Sequence, residues 1–585
     1  MGHRLLRRWL LPLLAMAVVA TLGACASTTR PTAPTASAQG AGGAPPPIVG
    51  GARGRPNVLV IETDDMRSDE LRWMPNVRRF IADRGLTFEN SFAPYPLCCP
   101  SRSSFLTGKY AHNHHVLSHV PPWGFHAFDD SDTLATRLQS GGYATALIGK
   151  YLNGYGKQPI HGTDKPSLEY VPPGWSAWFA GSDHLWRPGE TYRGTPMHGS
   201  TYAYFDLTQN IDGRIRNFAG QYSTDVFAEQ ARSLMTLFGG EQRPWFLWFT
   251  PTAPHHGPPG EADDPAPSVR SDGGTTVWKT PARPDWVKGR FDAEITHGLG
   301  TPLTHSAEAD NTDKPLWLRK LPELSEEEKA AETTVTRQRA EALFALDRQI
   351  GEMLRTLRDT GQYDRTVIAF TSDNGYYLGE HRKRQGKIEL HEPSLRVPFL
   401  IAGPGIPQGR RYDPITTVDM APTIAAMAGI GPMPNADGID MTSVIEHGDR
   451  GWNRPVVTEG LMGEYPRSVR QTGFDSALNT RGIRLGRWKL TEYSTGESEL
   501  YDLGSDPLEL ENLSGDPVYA DVLAEMRELW LRYEDCAGKA CAAALPQKWR
   551  TSVDRTKVIT DHEARSVEQY YETRTGTQPS RSTSN

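Results

Sequence analysis

Two adjacent cysteines, Cys98 and Cys99, stand directly before Pro100, Ser101 and Arg102 in the stretch PLCCPSRSSFLTGKY. A thiol, or a group made from one, is a nucleophile, and a guanidinium at fixed spacing can orient it or grip an anion. Acidic groups come in pairs elsewhere. Asp64 and Asp65 close NVLVIETDD, and Asp373 and Asn374 follow TVIAFTS. Three carboxylates and an amide are hard oxygen donors that suit Ca²⁺ or Mg²⁺ rather than zinc. Such a cluster repels itself unless a cation is present. Turns and helix caps also use Asp and Asn, so neither pair decides the matter alone. Lys150 ends ATALIGK, and His255 and His256 follow WFLWFTPTAP. These are a cation and titratable imidazoles in the same kind of position.

The elements that must carry these groups are legible. Val58–Ile61 and Val367–Phe370 are continuous apolar runs, as in strands buried on both faces of a sheet. Leu343, Leu346, Ile350, Leu354 and Leu357 recur at helical spacing, and Gly361 follows. Helix then strand predicts an α/β fold with a mostly parallel sheet, whose ligands bind at the C-terminal strand ends. Four apolar runs ending in charged groups therefore point to one site. After about residue 450, RGIRLGRWKLTEY and ESELYDLGSDPLELENL read as short strands, with a helix near Val522–Tyr533.

The 585 residues are 38% hydrophobic, ample for a large core, and the net charge of −7 argues against nucleic acid as the main partner. Of five cysteines, Cys536 and Cys541 in CAGKAC are close enough to pair in an oxidising compartment. A vicinal disulfide of Cys98 and Cys99 would be strained, and a four-cysteine zinc site fits the spacings poorly. Neither explains the Pro-Ser-Arg that follows. At the N-terminus, Arg4, Arg7 and Arg8 precede a short apolar run, an export signal rather than a membrane span. Leu22-Gly23-Ala24-Cys25 resembles the lipobox of bacterial lipoproteins. That implies an acylated Cys25, anchoring the chain to the outer face of the cytoplasmic membrane at the cell surface. Plain secretion after cleavage near Ala24 or Ala26 is the alternative.

Cys98-x-Pro100-Ser101-Arg102, with Leu106-Thr107-Gly108 downstream, resembles the signature of type I sulfatases. The resemblance runs from Asn57 to about Asn512 and includes GKIELHEPSLRVPFLIAGPGI around Lys387, TTVDMAPTIAAMAGI and DGIDM. TGKYAHNHHV, IGKYLNGYG, VPPGWSAW and TAPHHGP are most similar to glucosamine-6-sulfatases and extracellular endosulfatases, which act on glycosaminoglycans such as heparan sulfate. The resemblance implies an alkaline-phosphatase-like fold with a smaller C-terminal α+β subdomain. It implies hydrolysis of sulfate esters, of a sulfated carbohydrate or a small aryl or alkyl sulfate. A separate formylglycine-generating enzyme would convert Cys98 to formylglycine, whose hydrate attacks sulfur. Asp64, Asp65, Asp373 and Asn374 would hold Ca²⁺ (or Mg²⁺), with the Cys98-derived group completing the shell. Arg102 would orient that group, Lys150 and Lys387 would clamp sulfate oxygens, and His255 would protonate the leaving oxygen. Cys99 would be a bystander.

One departure concerns the base that releases sulfate. Many members have His two residues after the first lysine, where this chain has Leu152. His112, His114 and His115 are the substitutes to consider, and His391, where many relatives have tyrosine, is assigned no role. Trp123, Trp175 and Trp178 are candidates for stacking on sugar rings, or equally for core packing. The expected order is a signal peptide with its lipobox at 1–25, a disordered tether at 26–55 and a sulfatase catalytic domain at 56–450. A C-terminal α+β subdomain at 451–550 follows, then a polar tail at 551–585 whose start can pack as a helix. Rival functions are a phosphonate or phosphate ester hydrolase on the same fold, and a catalytically silent sugar-binding lipoprotein.

Overall fold

The computed structural model describes residues 54–572, except 188, 242, 303–305 and 461–479. The signal peptide, Cys25, nearly all of the tether and the last part of the tail lie outside the described residues.

Strand Asn57–Thr63 is buried along its whole length. Leu59 and Ile61 enter the core on one face, and Val58 and Val60 the core on the other, as two-residue periodicity requires. Trp245–Thr250 and Thr366–Ser372 flank it in parallel. Ala144–Lys150 and then Ala177–Gly181 continue the parallel set beyond Trp245–Thr250. These five strands form the middle of a 10-stranded sheet. Phe399–Ala402 on one side and Asp206–Ile211 on the other run antiparallel to their inner neighbours. The four apolar runs singled out in the sequence are four consecutive strands of this sheet, so the groups that follow them meet at one edge.

Helices cover both faces. Ser223–Gly239 and Glu326–Asp359 pack on the side of Leu59 and Ile61. Cys98–Thr107, Leu134–Ser140 and Thr417–Met427 pack on the side of Val58 and Val60. The helix expected around Leu343–Leu357 is 34 residues long and starts well before Leu343. Its N-terminus is set by a capping box, in which Ser325 and Glu328 satisfy each other's backbone N–H. Ala331 and Val335 extend its apolar stripe into a separate small cluster.

Val456–Gly460, Thr480–Leu485, Trp488–Tyr493 and Ser498–Asp502 form an antiparallel four-stranded sheet. Helix Ala520–Tyr533 packs on it through Leu523, Met526 and Leu529. Cys536 and Cys541 are joined by a disulfide. The expected polar tail begins as part of the folded body. Val553–Glu572 is a helix. Its Glu563 pairs with Arg484 and Arg396, and Asn90 donates to Thr560 Oγ1 at 2.8 Å. Only its end packs through apolar groups, with Tyr570, Tyr571 and Val567 against Leu508, and the rest of its buried face is polar, which is why composition reads as a tail.

Candidate active site

Cys98 opens helix Cys98–Thr107, all ten residues of which are buried. Arg102 lies four residues on, so it shares a helix face with Cys98. Its Nε donates to Asp373 Oδ2 at 2.8 Å and its Nη1 to the Lys150 carbonyl at 3.1 Å. Its Nη2 is buried without a hydrogen-bond partner, 3.8 Å from Asp64 Oδ2. The helix stops at Gly108, which has φ 69°. A left-handed residue there explains the Leu-Thr-Gly ending.

Register pairs Thr63 with Ser372, so Asp64 and Asp373 leave the sheet side by side. Asp65 N donates to Asp373 Oδ1 at 3.1 Å, and Asn374 Nδ2 donates to Asp65 Oδ1 at 2.7 Å. Asp65 has φ 65°, a conformation that costs a non-glycine residue about 1 kcal/mol or more. Cys98 Sγ is 3.3 Å from Asp64 Oδ1 and 3.8 Å from Asp65 Oδ1. Asp65 Oδ2 and Asn374 Oδ1 are buried with no hydrogen-bond partner. Buried oxygens left open are costly unless a donor or cation meets them. This donor set fits a hard divalent cation.

Three cationic or titratable groups face the carboxylates. Lys150 Nζ is 2.5 Å from Asp64 Oδ2. Lys387 Nζ contacts Asp65 Oδ1 and lies 2.7 Å from Cys98 Sγ. His255 Nε2 lies 3.6 Å from Asp65 Oδ2, while its Nδ1 bonds the His256 carbonyl at 2.7 Å. Burial works against ionisation of Asp64 and Asp65. Lys150 and Lys387 respectively, with His255, more than offset it and hold both pKa values well below the usual carboxylate range. The Cys98 thiol is pushed far above its ordinary value by burial, then by Asp373 and Asp64.

The family model for sulfatases matches residues 56–430. The chain belongs to the sulfatase family. It is thus a sulfuric ester hydrolase by family. A second model, the C-terminal region of N-sulphoglucosamine sulphohydrolase, matches residues 379–535. An arylsulfatase of Volvox carteri is 29% identical over 86% of this chain and 79% of its own length. Human N-acetylglucosamine-6-sulfatase is 26% identical over 84% of this chain and 87% of its own. A solved structure of a protein with its substrate D-glucosamine-2-N,6-O-disulfate shares the fold. Its TM-score is 0.57 and its identity 22%, over 82% of this chain and 97% of that one.

Around this sulfatase site some expectations change. Cys98 and Cys99 are both free thiols, so there is no vicinal disulfide, and Cys99 Sγ lies 3.5 Å from the Asn153 carbonyl. His112 is held between Glu459, at 2.6 Å, and the Cys536 carbonyl, at 2.8 Å. His114 is buried between Ser104 Oγ and the Val116 N–H. Both rings tie chain segments together, and neither is open to act as the base. His115 is the exposed cap of the same short helix. Trp175 and Trp178 lie in the core beneath the sheet, and Trp178 Nε1 donates to Tyr155 Oη at 2.7 Å. They do not form a sugar platform. Trp123 is half-buried against Tyr95 and Leu117. His391 is buried between Tyr377 and Glu499.

Sequence reasoning missed three groups here. Tyr202 lays its ring 4.7 Å from that of His255 and 4.9 Å from Lys150 Nζ. Glu62 is buried beside Arg102 and Asp373, and burial lifts its pKa to about 7 against the pull of Arg102. His119 is considered below. Tyr202 and His119 stand in loops without periodicity, so no pattern flags them. Glu62 was visible as the first acid of ETDD.

Proposed function

We propose that this sulfatase hydrolyses sulfate esters of sugars with Cys98, converted to formylglycine, as its nucleophile. The observation that carries this is the convergence of Cys98 with two carboxylate-bearing strand ends and two lysines in one buried cluster. The modified side chain would supply the nucleophile for sulfur as a hydrated aldehyde, which water would restore once sulfate has left. Asp64, Asp65, Asp373 and Asn374 would hold a divalent cation, Ca²⁺ or Mg²⁺, which would supply charge neutralisation and a more acidic hydroxyl. The partnerless Asp65 Oδ2 and Asn374 Oδ1 support that role.

The chain's own residues do the rest. Arg102, fixed by Asp373 and the Lys150 carbonyl, orients the Cys98-derived group. Lys150 and Lys387 carry charge to the sulfate oxygens, where it counts most in a dry site. His255 delivers a proton from Nε2 to the departing alcohol oxygen, its Nδ1 held by the His256 carbonyl. That transfer needs the doubly protonated ring, because the Nδ1–H is taken by the His256 carbonyl; burial lowers the pKa, and Asp64 and Asp65 favour the charged form against it.

Sugar esters are favoured by the likeness to N-acetylglucosamine-6-sulfatases and to the glucosamine disulfate complex. Export fits the basic and apolar N-terminal segment and the Cys536–Cys541 disulfide, and Cys25 is the proposed lipid attachment point. Maturation needs a formylglycine-generating enzyme as partner. The test is mass spectrometry of the peptide spanning Leu97–Arg102, with parallel assays on aryl sulfates and aryl phosphonates. An aldehyde at Cys98 and a preference for sulfates are expected. An intact thiol in active enzyme sinks the nucleophile, and a preference for phosphonates sinks the substrate class.

A further inference from the structure

One buried imidazole beside the pocket has no role in the chemistry above. His119 sits in the turn Leu117–Trp123, which is held from several sides. Leu117 N and Ser118 N both donate to the Trp123 carbonyl, at 3.0 and 3.3 Å, and Trp123 N donates to the Val120 carbonyl at 3.0 Å. Tyr95 Oη donates to the Leu117 carbonyl at 2.5 Å. Gln158 Nε2 donates to the His119 carbonyl at 2.9 Å. Gln158 follows Lys150 in the same loop, so this contact ties the turn to the strand end that supplies a site lysine.

The ring is the unusual part. His119 keeps partial exposure as a residue, but its Nε2 is sealed from solvent and has no hydrogen-bond partner. A buried ring nitrogen left open is uncommon and expensive. The charges that act on the ring are those of Lys387, Lys150, His255 and Asp64, the groups gathered around Cys98. Burial, then Lys387 and Lys150, keeps its pKa well below the ordinary value, so the ring is neutral. The turn is placed beside the site by packing: its Leu117 lies in one cluster with Leu97, the neighbour of Cys98, and Ile388, the neighbour of Lys387, packs on that cluster. A neutral ring nitrogen left open there lacks a partner that a bound anion would provide.

We propose that His119, protonated at Nε2, donates a hydrogen bond to an oxygen of the bound sulfate group and is a third sulfate-holding residue beside Lys150 and Lys387. This rests on the assignment of the Cys98 pocket to sulfate esters. A neutral donor suits the place better than another cation, which would repel the two lysines. It also differs from a base. Its task is to hold the anion, so its loss weakens binding without moving the acid limb of the pH profile.

The experiment compares wild type with His119→Phe, which keeps a ring but no donor, and His119→Gln, which restores an N–H. Inorganic sulfate is the probe, titrated calorimetrically into each protein in a Cys98→Ala background, where neither modification nor turnover is needed. KM for an aryl sulfate and the pH profile of kcat/KM are measured with Cys98 intact. His119→Phe should weaken sulfate binding about 10- to 100-fold, the range for a hydrogen bond to a charged group. His119→Gln should recover most of it, with the acid limb unchanged in both. Thermal melting checks folding, and if His119→Phe does not fold, His119→Gln against His119→Ala makes the same comparison. Equal sulfate affinity in wild type and His119→Phe overturns the inference alone. Retained affinity with a collapsed kcat and accumulation of sulfated enzyme overturns it in favour of a base. No sulfate binding and no sulfate-ester hydrolysis by wild type overturns the site assignment, and the inference with it.

Discussion

Two clusters of buried charge in this sulfatase are built from the same residue types and differ in completeness. Around Glu392, Arg484 reaches Glu392 and Glu563, Lys489 reaches Glu392 and Glu509, and Arg396 reaches Glu392 and Glu563. Glu509 also accepts the Glu392 N–H at 2.7 Å. No carboxylate oxygen of these three glutamates is left buried without a partner. Around Cys98, by contrast, Asp65 Oδ2, Asn374 Oδ1, Arg102 Nη2, Glu62 Oε1 and His119 Nε2 are all left open. Buried charge that closes on itself joins segments of chain, here the C-terminal helix to the sheet of the smaller subdomain. Buried charge left open is arranged for something that arrives later. Single open groups occur elsewhere too, as at Glu332, so what marks this cluster is that five of them gather around Cys98.

The contrast can be broken by removing one charge from each cluster. Asp65→Asn should lower kcat/KM by about 10³-fold and abolish the fall in melting temperature that a chelator causes in wild type. An unchanged response to chelator would exclude Asp65 as a ligand. Arg484→Met should do the reverse, costing about 3–5 kcal/mol of stability, because Glu392 and Glu563 lose the more deeply buried of the two arginines they share, while kcat stays within about twofold. A large kcat loss in folded Arg484→Met protein would show that the closed cluster also serves the site. His255→Ala should slow alkyl or sugar sulfates by about 10²-fold and nitrophenyl sulfate far less, since that anion departs unaided. Equal losses would make His255 a sulfate-positioning group.

The smallest expected effect sharpens the comparison at His112, another closed contact. Burial alone would lower its pKa, but Glu459 overrides this and lifts it to about 9. A raised histidine adds stability that is fully present below its unfolded pKa, about 6.5, and is lost as pH rises through about 9. Chemical denaturation across pH 6–10 should show a decline of about 1–3 kcal/mol that His112→Gln removes. A parallel decline in both proteins would refute the assignment.

Much of this was legible in the chain. NVLVIETDD, TVIAFTSDNG, ATALIGK and WFLWFT could only be buried strands, and parallel neighbours bring their following residues together. Other features were less visible. The first part of helix Glu326–Asp359 escaped notice because its early turns are mostly charged and its cap depends on one Ser–Glu exchange. Trp175 and Trp178 looked as fit for a sugar as for a core, since an indole is apolar in either place. The helix Val553–Glu572 looked like a tail because ion pairs to distant residues hold it, and composition does not register partners.

By itself the sequence determined the type of chemistry. The residues proposed to carry it, Cys98, Arg102 and the acids that follow the central strands, stand out by local spacing, through helix periodicity and strand ends. Only the tertiary structure decided which of its histidines are tied up and which is left open. His112, His114 and His119 lie within one short stretch and are chemically equivalent on paper. His112 is captured by Glu459, 347 residues away, and His114 by Ser104. His119, on a turn pinned by Tyr95 and Gln158, is left with an open nitrogen among the site's charges. An imidazole's role is set by what its two nitrogens meet, and that depends on packing between segments far apart in the chain.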